Sequence, residues 1–341
     1  MTEVNGGFYA VDDVGLISNP RGDSVLGLQR YTQNGRVAGH LYTFKSGVWT
    51  DINAPKNSFF VDPTGSNSNP GTVEDLPVLT LTKAIALCTG GIGETIYMKP
   101  GDYTEQVVIP VAKSNITIVG LGNKGSIFIE GTGATTILTN NAEGTTLVNI
   151  TLEGDETVGS LGLLNRGKRL RYRSGRILNV ATCAKFTLGT PTEVDAGIYS
   201  DGSDTLCDDV EFSWATDGVD LVGVTDLVNP GDFGTTQNYF RRCQFHNLSN
   251  SSFKETPLGG ATQSFRDLEI LDCIFKALEA GTLPTAFVLL NGDNANSGIV
   301  SGCRFPTALL TAGGAGKSVV STKLYWTGNY HTGGISNAQP T

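Results

Sequence analysis

The sequence predicts an all-β solenoid in which short parallel strands stack coil on coil around three faces. Three observations predict it. First, a C-x-F pair recurs at a 30-residue interval, as Cys243 with Phe245, Cys273 with Phe275, and Cys303 with Phe305. Self-similarity at a fixed period of this length is the signature of a repeat architecture. Second, apolar versions of the pair continue toward the N-terminus, as Val210 with Phe212, Ala184 with Phe186, Ile150 with Leu152, and Ile116 with Ile118. Third, the residue inside each pair is Thr117, Thr151, Lys185, Glu211, Gln244, Ile274 or Arg304, polar in all but one case. Strand side chains alternate faces, so the pair points inward and the residue between them outward. Cys243, Cys273 and Cys303, with Phe212, Phe245, Phe275 and Phe305, are therefore expected to form a buried core ladder.

Composition agrees with this fold and excludes several functions. The chain has 341 residues, 39% of them hydrophobic, and 44 glycines, as suits a chain that turns often. A net charge of −9 lacks the basic footprint of a general nucleic-acid binder. The first residues, MTEVNGGFYAVDDVG, carry no basic stretch followed by an apolar one, so no export signal is expected. No apolar run reaches the roughly 20 residues of a membrane span. The six cysteines read either as a stack of small buried side chains or as a disulfide network. No CxxC pair occurs, and His40, His246 and His331 are scattered, so no metal site and no cofactor are expected.

In chain order, residues 1–55 read as a β-rich segment too small to bury much of its own surface. Gln33-Asn34-Gly35-Arg36 offers an Asn-Gly turn, and Lys45-Ser46-Gly47 separates Leu41-Tyr42-Thr43-Phe44 from Val48-Trp49 in a second hairpin. Residues 56–95 read as a linker and a capping helix. Thr80 caps the helix, and Leu81, Ala84, Ile85 and Cys88 make one apolar stripe that ends at Gly90-Gly91. Residues 96–332 read as the solenoid. Ile96–Lys99, Gln106–Ile109 and Asn115–Val119 form one coil, separated by Pro100-Gly101-Asp102 and Lys113-Ser114. Ser126–Ile129, Thr136–Leu138 and Leu147–Ile150 form the next. Trp326 is placed to plug the far end, and residues 333–341 read as a loose tail.

Val61-Asp62-Pro63-Thr64-Gly65, the helix around Lys83-Ala84-Ile85, Ile96-Tyr97 followed by Pro100-Gly101-Asp102-Tyr103, and the strand Ile116-Thr117-Ile118-Val119-Gly120 resemble the opening of the pectin-lyase-like right-handed parallel β-helix superfamily. The likeness covers roughly residues 59–305. It implies a right-handed parallel β-helix and leaves the chemistry open, because that fold hosts lyases, esterases, hydrolases and inert structural proteins. The Gln-Asp-Thr turn and Asp-Phe-Ile strand of the methylesterases are missing. Asp208-Asp209 is a paired Asp without the elements that flank it in the galacturonan hydrolases, and the calcium site of the lyases is missing too. The stretch LYTFKSGVWTDI is similar to segments near the N-termini of bacteriophage tail and head surface proteins.

Two constellations remain. Asp209 and Glu211 share parity and are expected to project from one strand, ~6.8 Å apart along the backbone. That spacing suits an inverting glycosidase. The plainer reading is a solvated face, with Asp201, Asp204, Asp217, Asp220 and Asp226 in neighbouring turns. Arg169, Arg171 and Arg173 alternate with Leu170 and Tyr172 and are expected to line one strand face, as a contact for an acidic partner. The alternative is an internal ladder with Glu153, Asp155, Glu156, Glu193 and Asp195. The expected function is a structural protein on the surface of a bacteriophage virion, a head decoration protein or short tail spike assembled in the host cytoplasm. It would bind other virion proteins through residues 1–55, Trp49 among them, with no nucleic acid and no membrane. The resemblance implies a homotrimer and admits a host surface glycan. The alternative is a polysaccharide-degrading or glycan-binding spike that uses Asp209 and Glu211.

Overall fold

The computed structural model describes residues 57–187, 202–222, 236–256, 266–279, 284–288, 290, 297–306, 324–331 and 334–335 with their side chains, and further strands by backbone alone. Strands β1 (Glu3–Val4), β2 (Phe8–Ala10), β3 (Val25–Leu28), β4 (Leu41–Lys45) and β5 (Val48–Asp51) form a separate five-stranded sheet in that order. The predicted hairpin at Lys45-Ser46-Gly47 is present, with Lys45 opposite Val48 and Phe44 opposite Trp49. The Asn34-Gly35 turn and the Trp49 side chain lie outside the described residues.

From Ser58 onward the chain is a parallel β-helix with three faces. The first face is a ten-stranded parallel sheet running from Ser58–Val61 to Leu324–Thr327. At the usual strand spacing it is about 45 Å tall. Its inward column runs Phe59, Ile96, Ile118, Leu147, Tyr172, Cys207, Phe240, Ile270, Val300, Trp326, each in register with the next. The second face aligns Tyr103, Ile129, Leu152, Ile177, Phe212, Phe245 and Phe275. The third aligns Val107, Leu138, Leu163, Ala184, Val219, Phe253 and Val288. These columns meet on the axis as one core, nearly all of it inaccessible to solvent.

The predicted ladder is present in its C-terminal half. Phe212, Phe245, Phe275 and Phe305 stack nearly parallel, with centroids 4.9, 5.2 and 4.6 Å apart. Trp326 continues the stack 5.3 Å beyond Phe305 and is buried. All six cysteines are free and buried, which decides against disulfides. Each of Cys243, Cys273 and Cys303 directs its thiol at two backbone carbonyls, one from the preceding coil, at 3.4–3.5 Å. Burial pushes the Cys273 thiol well up, so it stays protonated.

Two of the expected pairs sit on other faces. Ile118 lies on the first face, and Ala184 with Phe186 on the third. The ladder position between Leu152 and Phe212 belongs to Ile177, and the corner position before it to Gly175. Glycine is required there: a Cβ would stand 2.1 Å from the Tyr172 ring, whose hydroxyl shares its one proton between Ile150 O at 2.8 Å and Arg176 O at 2.9 Å. The coil phase also shifts. Pro100-Gly101-Asp102 reads as a turn, but Gly101–Thr104 is a second-face strand, so one coil closes over Thr95–Ile109 and Thr117–Gly120 opens the next. Pro100 makes the bend, and Gly101, with φ of 142°, lets the strand pass Pro63. The solenoid also starts earlier than residue 96, since Ser58–Val61 is already its first rung.

Helix α1 (Leu81–Leu87) follows the prediction, with the Thr80 side chain accepting from Lys83 N and Leu81, Ala84 and Ile85 buried. Its free N–H groups are also met by Glu105, which accepts from Leu81 N at 2.7 Å and Thr82 N at 3.0 Å. No helix of the described residues is long and apolar enough to cross a membrane.

Candidate functional site

Coil corners place the outward charges. Asn149, Ser174, Asp209, Arg242 and Asp272 take a left-handed backbone, with φ of 51–56°, two residues before the second-face strand in successive coils. Asn and Asp tolerate that conformation, which explains most of the column. It also corrects the first expected pair. Asp209 is a corner residue, half exposed and paired with Lys124 at 3.3 Å, whereas Glu211 opens the strand Glu211–Asp226. The two carboxylates do not project from one strand.

Glu211 is enclosed by donors. Arg176, in register one coil earlier, donates Nε to Oε2 at 3.1 Å and Nη2 to Oε1 at 3.0 Å. His246 Nε2 lies 3.0 Å from Oε1, and Ser213 Oγ donates to the same oxygen at 3.3 Å. A carboxylate only accepts, so His246 carries its proton on Nε2. Its Nδ1 then accepts from Asn247 Nδ2 at 3.2 Å. The His246 bond, with the Arg176 fork behind it, holds the Glu211 carboxyl down at about 2 despite burial. A group so acidic is ionised throughout the ordinary pH range and cannot serve as a general acid. What the cluster can do is pin three coils together.

That arrangement has a pH signature. The Glu211 contribution is fully present above pH 4.5 and is lost as pH falls toward 2, because a depressed carboxyl stabilises only while ionised. Its size is on the order of 3 kcal/mol. Denaturant unfolding at pH 6 and pH 2.5 should show Glu211→Gln losing much less stability between the two than the wild type. Equal losses would refute the assignment.

The second acidic cluster lies on the third face. Asp217 and Asp220, expected in turns, belong to the strand Glu211–Asp226 and are both almost buried. Asp217 accepts from Asn250 Nδ2 and Ser251 Oγ at 2.7 Å and from Lys254 Nζ at 2.6 Å. Lys254 stands 4.0 Å from Asp220, whose carboxyl burial pushes up against the pull of Lys254 and Thr256. Among the described residues no three metal-ligating side chains converge.

The arginines divide. Arg171 and Arg173 share the outward side of the strand Arg171–Arg173, with Tyr172 inward. Arg169 is a left-handed corner residue outside that strand. Arg169 pairs with Glu143 at 2.8 Å and Arg171 with Asp204 at 3.0 Å. Glu143 and Asp204 lie at the same corner one coil before and one coil after, and of the acids of the predicted ladder Glu193 and Asp195 lie outside the described residues. Arg173 is exposed and makes no ion pair among the described residues.

No family model and no curated protein matches the sequence. Solved structures do match it. The protein titled Geobacillus virus E2 ORF18 superposes over 92% of this chain and 70% of its own, with a TM-score of 0.52 and 14% identity. Carrot pectin methylesterase covers 86% of this chain and 87% of its own, with a TM-score of 0.53 and 12% identity. The Aspergillus niger pectin methylesterase covers 85% and 91%, at 0.51 and 13%. Likeness at these identities shows the fold, a right-handed parallel β-helix of the pectin-lyase-like kind.

Proposed function

We propose that this β-helix protein is a structural component of a bacteriophage particle, displayed on the virion surface and attached through its N-terminal segment. One observation carries the reading. Among the described residues, strands β1–β5 pair with one another, and none of them joins the ladders of the solenoid. A small sheet outside a self-sufficient body is suited to docking on another protein. Two further points support it. One of the solved structures that share this fold is a viral protein, titled Geobacillus virus E2 ORF18. The strongest outward carboxylate, Glu211, is committed to holding coils together.

The partners under this reading are capsid or tail proteins, and the assembly is a homotrimer. Mass spectrometry of purified particles should find the chain at a fixed copy number, a multiple of three. In the full-length chain, Trp49→Ala should lower incorporation at least about ten-fold, since an interface tryptophan is commonly worth more than 1.4 kcal/mol. Particles that lack the chain altogether would overturn the proposal.

A further inference from the structure

One corner of the coil is built differently from its neighbours. Asn179, Trp214 and Asn247 are in register in three successive coils, and all are left-handed, with φ of 57°, 51° and 53°. The two asparagines suit that conformation and use their side chains in the corner. Asn179 donates to Glu153 Oε1 at 2.7 Å, and Asn247 Oδ1 accepts from Glu279 N at 2.7 Å. A bulky side chain is disfavoured there. The Trp214 side chain is also not in the core, since the residue is 40% exposed. Folding therefore does not require tryptophan at this position. Backbone strain that folding does not explain points to a function of the side chain.

Trp214 lines a groove of about 290 Å³. Val158, itself 89% exposed, and Leu278 add apolar surface, while Glu156, Thr216 and Ser249 supply a carboxylate and two hydroxyls. We infer that this groove binds a neutral saccharide. A pyranose ring has one apolar C–H face and a rim of hydroxyls. The face fits an exposed indole, and the rim fits mixed donors and acceptors. Charge decides between sugar classes. Among the described residues Glu156 is the only ionisable one lining the groove, and the chain carries −9 overall, so uronate or phosphorylated sugars are repelled. The inference is independent of any attachment to a particle.

The test is ¹H–¹⁵N spectroscopy of the full chain. It contains three tryptophans, and the Trp214 indole signal is identified by its loss in Trp214→Asn. The probes are hexamers of glucose (β-1,4 and α-1,4), mannose and N-acetylglucosamine, with hexagalacturonate as the charged counterpart. At least one neutral hexamer should shift the Trp214 indole signal saturably at millimolar concentration, and hexagalacturonate should not. Trp214→Asn should weaken that binding at least about ten-fold. The same substitution should raise the melting midpoint, by about 2 °C, because asparagine relieves the corner. That rise separates a binding role from a structural one. No shift with any neutral hexamer, an equal shift with hexagalacturonate, or undiminished binding by the variant would overturn the inference.

Discussion

Phe275→Ala should lower the unfolding free energy by about 4 kcal/mol, in the upper part of the range for large core deletions. Phe275 is 2% exposed and is stacked between Phe245 and Phe305, with centroids 5.2 and 4.6 Å away. Phe287 meets it edge-on at 5.8 Å. Removing the ring loses transfer energy and leaves a cavity whose walls belong to three coils. Each coil is held by its own strand ladders, so the walls cannot close on the gap without breaking register. Each coil also contacts only its neighbours, so the damage should concentrate in the coils beyond Phe275. Urea unfolding should show a lower midpoint, with the C-terminal coils melting in a separate early phase. A loss below about 1.5 kcal/mol would mean that the phenylalanine column is not tightly packed.

Lys254→Met should cost about 3 kcal/mol, the low end of the range for breaking a buried ion pair by removing one partner, because the lysine itself is part-exposed. The Asp217 side chain is only 7% exposed and receives the lysine at 2.6 Å. Without that ammonium, Asn250 and Ser251 remain its hydrogen-bond donors, and Asp220 stands nearby with a carboxyl already pushed up by burial. The double variant Asp217→Leu with Lys254→Met should recover most of the loss, because replacing both charges with apolar groups is often neutral. The pair sits in one contact network, so a double-mutant cycle should be strongly non-additive. Additive effects would show that the two charges do not depend on each other.

Much of the solenoid was legible in the chain. Cys243, Cys273 and Cys303 with their phenylalanines could be read because three successive coils carry a complete pair and the two steps between them are equal. The helix at Leu81–Leu87 could be read because its cap and apolar stripe are local. The N-terminal misplacements share one cause, which is that coil length varies. The step in register is 22 residues from Thr95 to Thr117 and 35 from Arg171 to Leu206. A pair displaced by a few residues lands on another face, as Ile116 with Ile118 and Ala184 with Phe186 do. Gly175 hid the true pair because the Tyr172 ring fills its place.

The candidate sites were less legible. Parity along the sequence put Asp209 and Glu211 on one strand, but parity holds only inside a strand. A left-handed corner at Asp209 breaks it. His246 lies 35 residues from Glu211 and carries no local sign of its role. Trp214 has no sign in the sequence, because nothing in its neighbours reveals the backbone it must adopt.

That the chain is built of short strands, and which residues of each pair point inward, was determined by the sequence alone, since the alternation of side chains is a property of the local backbone with a period of two. Which coil lies over which, which charges meet, and where a tryptophan is exposed at a strained corner were decided only by the tertiary structure. Those depend on the length of every turn between strands and on how core volumes in adjacent coils fit together.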